Sequence, residues 1–229
     1  MHFLDFFNVS VTFFRVFGYN ISYIEFTGTI FGLISVWLAT KANIYTWPTG
    51  IVNQAAFFLL FYQVQLYADM FLQVYFTYVC IYGWIFWRSK KKTPEHIIGY
   101  IKNKSRIILA FSMFAAIIVL GIISINLPRY FPQVFTKPPA YPFTDAFITV
   151  FSVSAVLLMA RKKVDAWFLW IIVDITSIYV YSLKGVMFVT CEYIVFLMMG
   201  FFGLYNWIRL YNNAKRLGSG QVYASTIKY

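Results

Sequence analysis

Trp167, Trp170 and Asp174 stand at i, i+3 and i+7 in the string DAWFLWIIVD, so on a helix they share one face. That face carries two indole rings and a carboxylate inside an otherwise apolar segment. Indole faces attract rings and cations, and a carboxylate adds charge and hydrogen bonding, so the set suits a polar, ring-bearing solute. A carboxylate at the centre of a membrane helix costs about 2.5–3.5 kcal/mol and therefore normally faces a bundle interior or a wet cavity. An interhelical hydrogen bond is the plainer role for it. The same spacing recurs 120 residues earlier in Trp47, Gly50 and Gln54, with Asn53 beside them, so that face too pairs an indole with a deeper polar group. Asn53 and Gln54 are open to the same two readings. Tyr75, Tyr78 and Tyr82 share a face of another apolar segment, as pocket lining, packing or lipid contact. Glu192 and Asn206 lie toward opposite ends of the last apolar segment.

Catalysis finds little support. An enzyme needs a nucleophile, a base or a metal cluster in mutual reach, and the only histidines, His2 and His96, fall outside every apolar segment. No phosphate-cradling GxxxxGK string occurs, and Cys80 and Cys191 sit in apolar stretches without metal-ligand spacing. No enzyme activity, cofactor, metal or disulfide framework is expected.

The elements that must hold these side chains are membrane helices. Of 229 residues, 61% are hydrophobic and 12% charged, against about 25% charged in soluble domains. Aromatic residues reach 22%, more than interfacial belts need, so some are expected to wall a cavity. Seven spans are expected, near 22–40, 44–64, 67–87, 107–127, 143–160, 164–183 and 186–208, all helical because an open strand edge in lipid leaves backbone groups unpaired. Glu25 and Asp145, Trp47 and Trp167, Gly83 and Gly203, and Trp87 and Trp207 pair at a constant offset of 120. The chain therefore reads as two three-helix bundles, 22–87 and 143–208. An unpaired linker helix, 107–127, restores the starting side, so the repeats are parallel. Glu25 and Asp145 read as acids complementing the helix dipole at equivalent starts.

Charge sets the expected orientation. All but Arg15, Arg129, Lys137 and Lys184 of the 19 Lys and Arg fall on one side, chiefly in the basic loop 88–106 and the tail 209–229. The positive-inside rule then puts the N-terminus outside and the C-terminus in the cytoplasm. The basic run reads as a solvated topology signal, with no nucleic-acid partner. Residues 1–21 read as an aromatic interfacial helix rather than a signal peptide. The outer loop 128–142, with five prolines, reads as stiff and extended.

WPTGIVNQ at 47–54, LYADMFLQVYFTYVCIYGWIFW at 66–87, DAWFLWIIVDITSIYVYSLKG at 165–185 and GFFGLYNW at 200–207 together resemble the PnuC family of bacterial vitamin B3 precursor transporters. The resemblance implies a 3+1+3 fold similar to SWEET proteins, a homotrimer in the inner membrane, and facilitated diffusion of nicotinamide riboside. It also implies a cytoplasmic riboside kinase that traps the solute. The family's WxxW motif maps onto Trp167 and Trp170, whereas the first half keeps Trp47 and has Gly50 in the second place. The resemblance and the residues together nominate Trp47, Asn53, Gln54, Tyr75, Tyr78, Tyr82, Trp167, Trp170, Asp174, Glu192 and Asn206 as the solute site. Another vitamin, thiamine or riboflavin, and a non-transporting seven-helix receptor are the competing readings.

Overall fold

The computed structural model describes residues 6–16, 18–89, 98–133 and 140–216. A hairpin of β1 (Thr12–Val16) and β2 (Tyr19–Ser22) precedes seven helices. These are α1 (Tyr23–Thr40), α2 (Thr46–Gln63), α3 (Tyr67–Arg88), α4 (Asn103–Tyr130), α5 (Pro142–Ala160), α6 (Asp165–Leu183) and α7 (Met187–Arg216). Six of them are long and apolar enough to cross a membrane. The exception is α2, whose Thr46, Thr49, Asn53, Gln54 and Gln63 dilute its apolar character. Its 18 residues still reach about 27 Å, and it packs between α1 and α3.

Helix α2 packs on α1 and α3, and α6 packs on α5 and α7. Contacts between α1 and α7 and between α3 and α5 join these two groups, while α4 packs on α5. The 120-residue offset is visible in the backbone. Ala42 and Lys162 have φ of 52° and 56°, and Gln65 and Gly185 have φ of 61° and 72°. Left-handed backbone costs a residue with a Cβ about 1–2 kcal/mol, so its recurrence at matched places marks one turn design used twice. The turns close with matched hydrogen bonds. Ala42 N–H donates to Ala39 O and Lys162 N–H to Met159 O, both at 2.9 Å; Leu66 N–H donates to Phe61 O at 2.9 Å and Val186 N–H to Tyr181 O at 3.0 Å.

Three expectations are corrected. The segment before α1 forms a hairpin, not an interfacial helix, because TFFRV and YNIS are rich in aromatic and β-branched residues and Gly18, at φ 80°, takes the turn between them. Ser22, the last residue of β2, caps α1 by accepting from Glu25 N–H at 3.3 Å. Helix α4 runs through Pro128 to Tyr130, where an extended loop was expected; a proline in a last turn disrupts little of the helix that precedes it. Helix α7 continues to Arg216, into the expected tail. Part of the basic loop, 90–97, and the Pro-rich stretch 134–139 lie outside the described residues, as does 217–229.

Candidate functional site

Helices α1 and α5 finish at the same end of the bundle, and four tryptophans close that end. Trp47 meets Trp87 edge-on at 5.2 Å, Trp87 lies 6.0 Å from Trp207, and Trp207 meets Trp167 edge-on at 5.8 Å. All four are buried, with exposures of 5% or less. The two central indoles cross between the groups. Trp87 Nε1–H on α3 donates to Ala160 O at the end of α5, and Trp207 Nε1–H on α7 donates to Ala39 O at the end of α1, both at 2.9 Å. The outer indoles are seated on glycines: a Cβ on Gly83 would stand 2.6 Å from the Trp47 ring, and one on Gly203 2.6 Å from the Trp167 ring. Their own Nε1–H groups are buried with no partner among the described residues. Leaving such a donor unpaired costs about 1–3 kcal/mol.

Lys162, in the turn between α5 and α6, is 5% exposed and holds its Nζ 5.1 Å from the Trp87 ring centroid. Burial lowers its pKa from 10.5 to about 8. The equivalent position is Ala42, and the α1–α2 turn carries only the exposed Lys41, so among the described residues one of the two turns buries a cation. Residues 98–101 lie across this end: Gly99 N–H donates to Lys162 O at 3.1 Å, and Val164 N–H to Gly99 O at 2.9 Å.

One face of α6 descends from this end into the bundle. Trp167 is sealed, Trp170 is half-buried against the same cluster, and Asp174 is 4% exposed. Asp174 makes no hydrogen bond or ion pair with any described residue, and α7 approaches it at Gly200, where a Cβ would stand 3.7 Å from Oδ2. On α2 the arrangement differs. Asn53 Nδ2 donates to Gly28 O at 2.7 Å, tying α2 to α1, and Gln54 Nε2 donates to Asn53 Oδ1 at 2.9 Å. At the place of Trp170, Gly50 admits Cys80 Sγ and Ser35 Oγ, 3.1 and 3.3 Å from where its Cβ would be.

The other nominated residues divide. Tyr75 and Tyr82 on α3 pack against the tryptophan cluster, and the Tyr75 hydroxyl is buried without a partner. Tyr78 is 69% exposed. Asn206 commits its Nδ2 to Thr40 O at 2.8 Å, a second tie between α7 and α1. Glu192 stands beside Thr29 of α1, nearer the opposite end. Trp87 and Trp207 were legible as repeat anchors but not as the centre of the closure. Gln73, 9% exposed on α3, was missed; a lone amide in an apolar helix was its signal.

At the opposite end the hairpin packs on α1. Tyr19 of the hairpin donates its hydroxyl to Glu25 at 2.9 Å and stacks on Phe188 of α7 at 5.9 Å, so it bridges α1 and α7. Burial, helped by the Glu25 hydrogen bond and charge, pushes the Tyr19 hydroxyl up to about 12, so it stays a donor. Glu25 and Asp145 lie in the first turns of α1 and α5. Asp145 pairs at 3.6 Å with Lys184, an exposed contact that contributes little.

Comparison with known proteins agrees with this architecture. A family model described as nicotinamide mononucleotide transporter matches residues 22–209. The nicotinamide riboside transporter PnuC of Escherichia coli (strain K12) is 31% identical over 223 residues, spanning 88% of this chain and 90% of its own. The riboflavin/roseoflavin transporter RibM of Streptomyces davaonensis is 24% identical over 197 residues, spanning 85% and 88%. A crystal structure of the vitamin B3 transporter PnuC superposes with a TM-score of 0.63 at 19% identity over 83% of each chain, a likeness of fold.

Proposed function

Because the chain belongs to the nicotinamide mononucleotide transporter family, we propose that it carries nicotinamide riboside across a bacterial cytoplasmic membrane. Helices α1–α3 and α5–α7 act as parallel triplets with α4 as linker, a 3+1+3, SWEET-like arrangement supported by the recurring turns. The uneven distribution of Lys and Arg supports an outer N-terminus and a cytoplasmic C-terminus, which puts the tryptophan closure on the cytoplasmic side. Alternating access then opens that seam and the Tyr19 end in turn. The passage is facilitated diffusion through each protomer of a homotrimer, with a cytoplasmic kinase trapping the riboside.

The observation that carries the choice of solute is Asp174, a buried carboxylate without a partner on the same face as Trp167 and Trp170. A bound pyridinium cation gives that buried carboxyl a countercharge and so favours its ionised form, and each aromatic face adds about 0.5–2 kcal/mol. The unpaired indole N–H groups and the Tyr75 hydroxyl are donors for ribose and carboxamide oxygens. Gln54 lies at the matching level of the other triplet, while Asn53, Asn206, Trp47, Tyr82 and Glu192 shape the surroundings. Helices α1, α2, α5 and α6 contain no Lys or Arg to neutralise a phosphate, so the mononucleotide is excluded. The likeness to RibM supports riboflavin as the second reading, since a flavin ring also stacks on indoles. Counterflow into proteoliposomes separates the cases. Labelled riboside accumulates, and excess mononucleotide or riboflavin leaves its uptake unchanged; uptake of riboflavin alone establishes the second reading, and accumulation of neither solute overturns both.

A further inference from the structure

Helices α4 and α6 both pack on α5 but make little contact with each other, which leaves a groove of about 820 Å³ on the side of the second triplet. Met113, Phe114 and Ile117 of α4, Phe147 and Phe151 of α5, and Leu169 of α6 line its length. Phe114 is 65% exposed. At one end the lining changes character to Tyr100, Arg106 and Asp165. Asp165 accepts from Ile101 N–H at 2.9 Å and from Arg106 Nη2 at 2.8 Å, so its charge is matched, while the Arg106 side chain remains 51% exposed. Lys102 and Lys104 are exposed on the same first turn. Lys102 caps α4 without a side-chain bond to the turn, and no acid lies in that turn to balance the helix dipole.

We propose that this groove binds an anionic glycerophospholipid, its phosphate held at the Lys102, Lys104 and Arg106 turn and an acyl chain laid along Phe114, Phe147 and Phe151. The complementarity runs along the groove's length: apolar where it crosses the bilayer, and at its end the Arg106–Asp165 pair, beyond which the exposed Lys102 and Lys104 and the α4 N-terminus supply positive charge and dipole. A volume of this size falls in the range of ligand clefts. Basic pockets between membrane helices suit such headgroups, and cationic side chains near a membrane surface favour anionic lipid. The topological role of the wider basic run is unaffected, since only the turn that opens α4 is assigned to the lipid. The site is separate from the Asp174 face, so its failure would leave the solute reading untouched.

Native mass spectrometry of the full chain, titrated with phosphatidylglycerol and with phosphatidylcholine of identical chains, tests the proposal. Phosphatidylglycerol is expected to be retained more tightly. Removing two charges by Lys102→Gln with Lys104→Gln should weaken it by about thirtyfold and leave phosphatidylcholine unchanged. Ala110→Trp, which fills the exposed groove without touching the charges, should remove adducts of both lipids. Equal retention of the two lipids by the unaltered protein overturns the proposal, as does an adduct pattern unmoved by either variant. Loss of the oligomer in Ala110→Trp with lipid adducts intact overturns it in favour of a second copy of the chain in the groove.

Discussion

The two helix groups, α1–α3 and α5–α7, share turns and tryptophan contacts and differ in their chemistry. Both turn at left-handed residues 120 apart, both seat a tryptophan on a glycine, and both send a second indole across to the other triplet's carbonyl. Yet where α6 has Trp170 and Asp174, α2 has Gly50 and Gln54, and where the second turn buries Lys162 the first has Ala42. The residues kept alike are those that close the seam. Those that differ lie on the inner faces of α2 and α6 and, at Lys162, against the closure itself.

The largest expected effect lies in the shared part. Trp47→Ala and Trp167→Ala should each cost about 3–5 kcal/mol, because a sealed indole leaves a cavity that backbone contacts cannot collapse. Thermal melts in detergent should show comparable losses, and a loss confined to one variant would break the equivalence of the triplets. Next come Gly83→Ala and Gly203→Ala, each forcing a methyl to within 2.6 Å of an indole carbon. Overpacking of that kind costs about 1–3 kcal/mol, again with matched falls in melting temperature.

Predictions in the divergent part should be one-sided. Trp170→Ala removes a half-buried aromatic face and should weaken riboside binding about tenfold in calorimetry while the melt changes little. Lys162 gives the smallest effect. Below about pH 8 folded and unfolded chains both carry its proton, so the fold bears the full cost of burying the charge; between about 8 and 10.5 only the unfolded chain binds it, and stability rises with pH. Lys162→Met should flatten that rise by a few degrees at most in melts across this window, because the Trp87 ring already offsets part of the cost.

The helices were readable because a membrane demands long apolar runs, and the observed ends fall close to those expected except at α4 and the end of α7, which run further. The duplication was readable because Trp47 and Trp167, or Gly83 and Gly203, make the same contact twice. The hairpin is signalled by TFFRV followed by Gly18, but the same aromatic content also suits an interfacial helix, so composition does not separate the two. The uses of Asn53 and Asn206 were hidden for a different reason. Each amide bonds a backbone carbonyl of α1, Gly28 or Thr40, and a carbonyl has no side-chain identity to reveal the pairing. Asp174 was legible as a costly buried acid; its lack of a partner is a fact of packing between α6 and α7 that spacing does not encode.

The comparison between triplets reduces to two positions at one level, Asp174 and Gln54. Calorimetric titration of nicotinamide riboside into the unaltered protein, Asp174→Asn and Gln54→Leu tests it most directly. The account predicts a loss of about tenfold or more for Asp174→Asn, from the removed charge, and about two- to threefold for Gln54→Leu, from one neutral hydrogen bond. Equal losses in the two variants, or full affinity in Asp174→Asn, would contradict it.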